Sequence, residues 1–189
     1  MDGGELMCCD KCPKVFHQYC HIPTIEKLPD ETESWQCLLC VNFADIPEDA
    51  GAAGAAAGGE GLSPRTQRLV ERLTLELYCQ YEASLPFREP VPLENTHYHA
   101  KIARPMCLDM IRMKLQPRSP QRYTHVAQFL GDVRLLLRNA LAYNPVESPI
   151  YKDAKRLEEF FEAQVAKWLP DHAWDLAPPL KRARADLRC

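Results

Sequence analysis

The 189-residue chain lacks any strong excess of charge: 23 lysines and arginines stand against 26 aspartates and glutamates, a formal net charge of −3. That balance argues against a protein built mainly to grip nucleic-acid phosphate, and direct DNA contact is not expected. No apolar run approaches the roughly 18 residues that a membrane span needs, and no charged, apolar, small-residue leader opens the chain. A membrane partner is therefore not expected. Glycine is scarce, and five of the eight glycines fall between positions 51 and 61. Internal repeats are absent. So are a phosphate-cradling glycine loop, an H-E-x-x-H helix and a paired-carboxylate motif, and no ordinary enzyme emerges. With 46% apolar and 26% charged residues, a packed core is within reach.

Cysteine is what the chain has in plenty. Of nine, six lie in the first 40 residues (Cys8, Cys9, Cys12, Cys20, Cys37 and Cys40), while Cys79, Cys107 and Cys189 are scattered. Clustering in C-x-x-C pairs, without a leader, favours metal over disulfide. The order Cys9-x-x-Cys12, His17, Cys20, Cys37-x-x-Cys40 is zinc-ligand spacing, because each C-x-x-C turn lets two thiolates reach one metal. A segment this short and polar buries too little apolar surface to fold unaided, so a metal must contribute folding energy.

Gly3-Gly-Glu-Leu-Met-Cys-Cys-Asp-Lys-Cys12, Phe16-His17, Cys20-His-Ile-Pro23 and Trp35-x-Cys37-x-x-Cys40 resemble a PHD finger. The resemblance implies two cross-braced zinc sites. Cys9, Cys12, Cys37 and Cys40 would make one complete site. His17 and Cys20 would be half of the other, whose remaining C-x-x-C pair is expected upstream of Asp2 and does not occur. That second site is thus expected to be incomplete, with Cys8 and His21 as nearby stray ligands, and the chain reads as an N-terminally incomplete piece of a longer protein. The resemblance further implies that the strand around Gly4–Cys9 pairs with an unmodified histone H3 tail, with Glu5, Asp10 and Asp2 receiving its basic side chains. Each of these carboxylates equally suits a solvated surface. Trp35 reads as a core aromatic.

The chain divides into the finger (1–43), a flexible Gly/Ala-rich linker (44–62), a helical module (63–169) and a basic tail (170–189). Ser63-Pro64 is an N-cap followed by proline at the first helical position. Val70, Leu73 and Leu77 then recur on one face, with Arg65, Arg68, Glu71 and Arg72 mostly on others. A proline-rich stretch, Leu85 to Pro105, has little periodicity. Helices are expected at about Cys107–Leu115, Thr124–Tyr143 and Pro149–Leu169, giving a four-helix bundle. The linker composition taken alone favours independent modules.

Leu85-Pro-Phe87, Pro90-Val91-Pro92, Tyr98, Ala103-Arg-Pro-Met-Cys-Leu108, Asn139-Ala-Leu-Ala-Tyr143-Asn144 and Ile150 resemble a bromodomain. The fold so implied is mainly α, a left-handed four-helix bundle preceded by a small zinc-bound, loop-rich PHD finger. A bromodomain pocket binds acetyl-lysine, which needs a narrow apolar slot and one fixed amide donor. By the resemblance, Asn144 presents its NH2 to the acetyl oxygen and Tyr98 holds a bridging water. Phe87, Val91 and Tyr143 line the slot, with Ile150 at its entrance. Asn144 also stands where a helix C-cap belongs, and Tyr98 also suits a core aromatic. Cys107 replaces the family's capping aspartate, at a cost of roughly 1 kcal/mol, and is expected to stay clear of the pocket. Leu85 stands where many members have a rim tryptophan, and His99 where a second aromatic is common.

A PHD finger followed at short distance by a bromodomain resembles the C-terminal arrangement of the transcription intermediary factor 1 (tripartite-motif) family. Against the independence that the linker composition favours, this resemblance implies that the two modules can dock as one unit. The resemblance implies a nuclear chromatin reader in a transcriptional co-regulator, with acetylated and unmodified histone tails and chromatin-associated co-regulators as partners. The alternative is an intramolecular SUMO-ligase or co-repressor scaffold unit. Any ubiquitin-ligase activity would need an upstream RING.

Overall fold

The computed structural model describes residues 4–30, 32–46 and 61–176, with side chains to residue 173. Asp2, most of the linker and the basic residues of the tail lie outside these. The finger opens with two short strands, β1 (Leu6–Cys8) and β2 (Val15–His17), paired antiparallel with Met7 opposite Phe16. Gly4 turns the chain into β1 with φ of +72°; a Cβ there would meet the Gln18 and Tyr19 side chains at 2.9 Å. Only glycine fits such a turn at no cost. A 3₁₀ turn, Leu38–Cys40, closes the finger.

Six α-helices follow among the described residues: α1 (Pro64–Cys79), α2 (Tyr81–Ser84), α3 (Thr96–Lys101), α4 (Leu108–Leu115), α5 (Val126–Tyr143) and α6 (Pro149–Trp168). Ser63 and Ser148 cap α1 and α6 through their hydroxyls, each with proline at the first helical position. Gln128 reaches back to the backbone N–H of His125, at 3.2 Å, to fix the start of α5. The apolar stripes of α1, α4, α5 and α6 converge on one core centred on Val70, Leu73, Ile111, Phe129, Leu157 and Phe161. The rings of Phe129 and Phe161 meet edge to face at 6.2 Å. None of these helices is long and apolar enough to cross a membrane.

The structure corrects two sequence expectations and decides a third point between alternatives. The proline-rich stretch is not irregular throughout. Asn95 accepts the Tyr98 N–H at 3.1 Å and starts α3 there, a helix of six residues that is too short to show a period. The linker does not begin at residue 44, because Asn42 caps a further 3₁₀ turn over Phe43–Asp45 and Ile46 packs against the core. Of the two arrangements open for finger and bundle, the structure has the docked one. Ile22, Leu38 and Phe43 belong to the same continuous buried cluster as the bundle core.

Candidate functional site

Four sulfurs gather in the finger. The Sγ atoms of Cys9, Cys12, Cys37 and Cys40 all lie within 4.8 Å of one another. Cys9–Cys40, Cys12–Cys37 and Cys37–Cys40 are each 3.8 Å apart. A tetrahedron with Zn–S bonds of about 2.3 Å has edges of about 3.8 Å, whereas a disulfide needs about 2.0 Å. The residues therefore fit zinc. Backbone N–H groups of Cys37 (3.3 Å) and Lys11 (3.4 Å) point at the Cys9 sulfur. Burial opposes the Cys9 thiolate, yet these donors and the Cys12 and Cys37 thiols bring its pKa down to about 6. Burial and the neighbouring thiols push Cys37 up. Four thiolates this close cannot coexist without a cation among them, and a divalent metal resolves the conflict.

His17 and Cys20 are exposed, and among the described residues no third histidine, cysteine or carboxylate gathers with them. His21 is not a stray ligand. Its Nε2 accepts the Leu38 N–H at 3.1 Å and its Nδ1 donates to the Pro23 carbonyl at 2.8 Å, so both ring nitrogens are engaged. Asp10 commits one carboxylate oxygen to the fold, accepting from the Trp35 N–H (2.7 Å) and the Ser34 hydroxyl (2.9 Å). Glu5 is exposed beside β1. The bonds from Gln18 N–H to the Glu5 carbonyl and from Cys9 N–H to the Lys14 carbonyl fix the ladder phase. They leave the backbone groups of Leu6 and Cys8 facing away from β2, along an edge with no partner among the described residues.

In the bundle, Phe87, Val91, Tyr98, Tyr143, Asn144 and Ile150 all line one cavity of about 180 Å³. They come from four places: the 3₁₀ turn at Leu85–Phe87, the loop after it, α3, and the end of α5 with the first turn of α6. Tyr98 is buried, its ring edge-on to Tyr143 at 4.9 Å. Burial holds its hydroxyl above the ordinary tyrosine pKa, so it stays a neutral donor. Among the described residues that hydroxyl has no hydrogen-bond partner. Tyr143 is steered from the far side by His97 Nδ1, 3.1 Å from its hydroxyl. Asn144 ends α5 and donates one N–H to the Ala140 carbonyl at 2.9 Å, which leaves the second N–H of the same amide. It is thus both helix cap and cavity wall.

Sequence reasoning missed Asn95, Met106, Leu136 and Ala140 as further walls, and it misplaced Cys107. Cys107 caps α4 with no side-chain oxygen, as expected, but it is buried against the cavity instead of standing clear of it. The helical apolar repeat of α5 and the N-cap character of Asn95 were the available signals. Glu89 is the acidic residue of the wall and is exposed.

The seam between finger and bundle is built on two arginines. Arg72 is buried at 8% exposure, its Nε 2.9 Å from Glu76 and its guanidinium donating to the Leu38 carbonyl at 3.3 Å. Its Cζ lies 4.1 Å from the Trp168 ring centroid, and Trp168 in turn packs on Phe43. Arg112 of α4 donates to the carbonyls of Tyr19 and His21.

Residues 1–40 match the PHD-finger family and residues 70–156 the bromodomain family. The chain is 38% identical over 177 residues to Tripartite motif-containing protein 66 of Mus musculus, an overlap of 90% of this chain and 13% of that protein. It is 36% identical over 173 residues to E3 ubiquitin-protein ligase TRIM33 of Homo sapiens, 88% of this chain and 15% of that one. Nucleosome-remodeling factor subunit NURF301 of Drosophila melanogaster is 29% identical over 160 residues, 84% of this chain and 6% of that one. The chain thus spans well under a fifth of the length of these relatives. PHD fingers and bromodomains are reader modules and not catalytic domains. The matched modules, their order and these relatives place the chain in the tripartite-motif family, as a PHD finger followed by a bromodomain.

Proposed function

We propose that the chain is a chromatin-reading unit in the nucleus that takes acetyl-lysine into the Asn144 cavity and an unmodified histone H3 tail along β1. The observation that carries the reading is the convergence of Phe87, Val91, Tyr98, Tyr143, Asn144 and Ile150 on one small slot. At about 180 Å³ the slot is below the ~300–1,000 Å³ of drug-sized pockets and suits a single side chain. Asn144 has an amide N–H left to donate to the acetyl oxygen, and Tyr98 a free hydroxyl to hold a water against the same atom. Acetylation decides binding because an ammonium carries donors only and would meet the Asn144 donor unpaired, at the cost of its own desolvation. One hydrogen bond and a small apolar group give weak, micromolar-class affinity.

In the finger we assign Cys9, Cys12, Cys37 and Cys40 as the one complete zinc site and His17 with Cys20 as half of another. Zinc there would supply cross-linking and charge neutralisation. The chain's own contribution is the pair of N–H groups aimed at Cys9. The outward backbone of Leu6 and Cys8 can add a third strand, and Glu5 is the carboxylate best free to meet a basic tail residue. Asp10 can offer only the oxygen that the fold does not use, and Asp2 lies outside the described residues. Chromatin-associated co-regulators remain the expected wider partners.

Amide chemical shifts followed during two titrations test both halves. An acetylated histone peptide should move the signals of Val91, Tyr98 and Asn144, and an unmodified H3 tail those of Leu6 and Cys8. Acetyl-independent shifts in the bundle, or none, would overturn the first half; silence along β1 would overturn the second.

A further inference from the structure

A broad cavity of about 540 Å³ lies against another face of α5 and shares no lining residue with the Asn144 slot. Separate segments bring cations to it: Arg104 from the loop after α3, Lys114 from α4, Arg122 from the loop before α5, and Arg138 from α5 itself. Asp132 is the acid of the lining, and it is already engaged by the Lys114 ammonium at 2.7 Å and the Tyr123 hydroxyl at 2.8 Å. Arg104, Arg122 and Arg138 are exposed, and among the described residues none has a carboxylate within ion-pair distance. Gln128 also lines the cavity. Its carbonyl oxygen is taken by the Thr124 and His125 N–H groups, so only its NH2 is left to offer.

We propose that this face of the bundle binds the phosphate backbone of duplex DNA. Guanidinium groups carry donors and no acceptor, and phosphate oxygens are acceptors only. Arg104, Arg122 and Arg138 stand exposed on separate segments, and the buried polar groups of the lining, Asp132 and Tyr123, are bonded to each other and to Lys114 and not turned to an enclosed anion. That arrangement suits a polyanion running across the surface rather than one enclosed phosphate. The choice of DNA as the polyanion rests on the chromatin reading; the charge argument does not. A net charge of −3 hides the surface because it averages over acids placed elsewhere. With the acetyl-lysine slot on a different face of α5, both ligands fit at once.

Fluorescence anisotropy of a short labelled duplex, titrated with the full chain at several salt concentrations, tests the proposal. Wild type should bind with affinity that falls steeply as salt rises. The triple variant Arg104→Ala/Arg122→Ala/Arg138→Ala should weaken binding about tenfold or more and lower the log–log salt slope by about three. The same variant should keep its melting temperature and its affinity for an acetylated peptide, which separates failure here from failure of the reader assignment. An unchanged slope in the triple variant would overturn the proposal, as would no wild-type binding at low salt. So would loss of binding only on replacing Lys181, Arg182, Arg184 and Arg188, or preference for a phosphopeptide over the duplex.

Discussion

The guanidinium of Arg72 donates to the carbonyl of Leu38 at 3.3 Å, joining the first helix of the bundle to the last turn of the finger. The two residues are 34 positions apart, and the contact is buried. Around it Phe43 and Trp168 close over the cation, their rings 5.5 Å apart. The finger is therefore held in a fixed relation to the Asn144 slot, and under the proposed function two tail segments bound at once would have to match that spacing.

Removing this cation should loosen the seam. Arg72→Ala deletes the bond to Leu38 and leaves Glu76, itself largely buried, without its partner. A loss of about 3 kcal/mol is expected, from charged hydrogen bonds and an uncompensated buried carboxylate. Denaturant unfolding should show it, with amide exchange rising at Leu38 more than at Phe129. A change under 1 kcal/mol would mean that the seam rests on apolar contact alone.

Zinc should be tied to the finger and not to the bundle. Metal analysis of the purified chain should find one tightly held zinc. Chelation should erase the dispersed amide signals of residues near Cys9 and Cys37 while those of α5 persist. Cys37→Ser should behave as the chelated protein does. Two zincs per chain that survive mild chelation would show that His17 and Cys20 have found further ligands.

Which parts of this were legible in the sequence follows from the range of the forces involved. Ser63-Pro64 and Ser148-Pro149 announce helix starts because capping is local. The spacing of Cys9, Cys12, Cys37 and Cys40 announces a metal cluster because ligand geometry constrains spacing. Arg72 and Glu71 read as polar-face residues of α1. Both are buried, Arg72 under the finger, and no one-helix pattern carries that information. The pocket residues Asn144, Tyr98 and Phe87 were legible through family resemblance, whereas Cys107 was misread because cap and cavity share one residue. The arginine surface was invisible because net charge has no address.

Glu71 gives a pH signature with a definite sign. Burial raises its carboxyl above the ordinary 4.5, with Gln67 and Arg68 offsetting only part of the cost. The folded state then holds this proton more tightly than the unfolded state does. Its contribution to stability declines as pH rises from 4.5 through the raised value, and is flat below 4.5. Glu71→Gln removes the titration and keeps an oxygen for Gln67. The stability of Glu71→Gln minus that of wild type should therefore climb from acid toward neutral pH in urea unfolding. A difference that falls with pH would mean that Arg68 overcompensates burial.

The most direct test of the reading assigned to the bundle is calorimetric. An acetylated internal histone peptide, lacking the free H3 amino terminus so that β1 cannot capture it, is titrated into wild type and Asn144→Ala. Wild type should bind the acetylated peptide with micromolar-class affinity and ignore the unmodified one. Asn144→Ala should lose at least about tenfold, as expected for one fixed donor worth about 1.5 kcal/mol, without unfolding. Equal binding by both proteins, or equal binding of both peptides, would contradict the account.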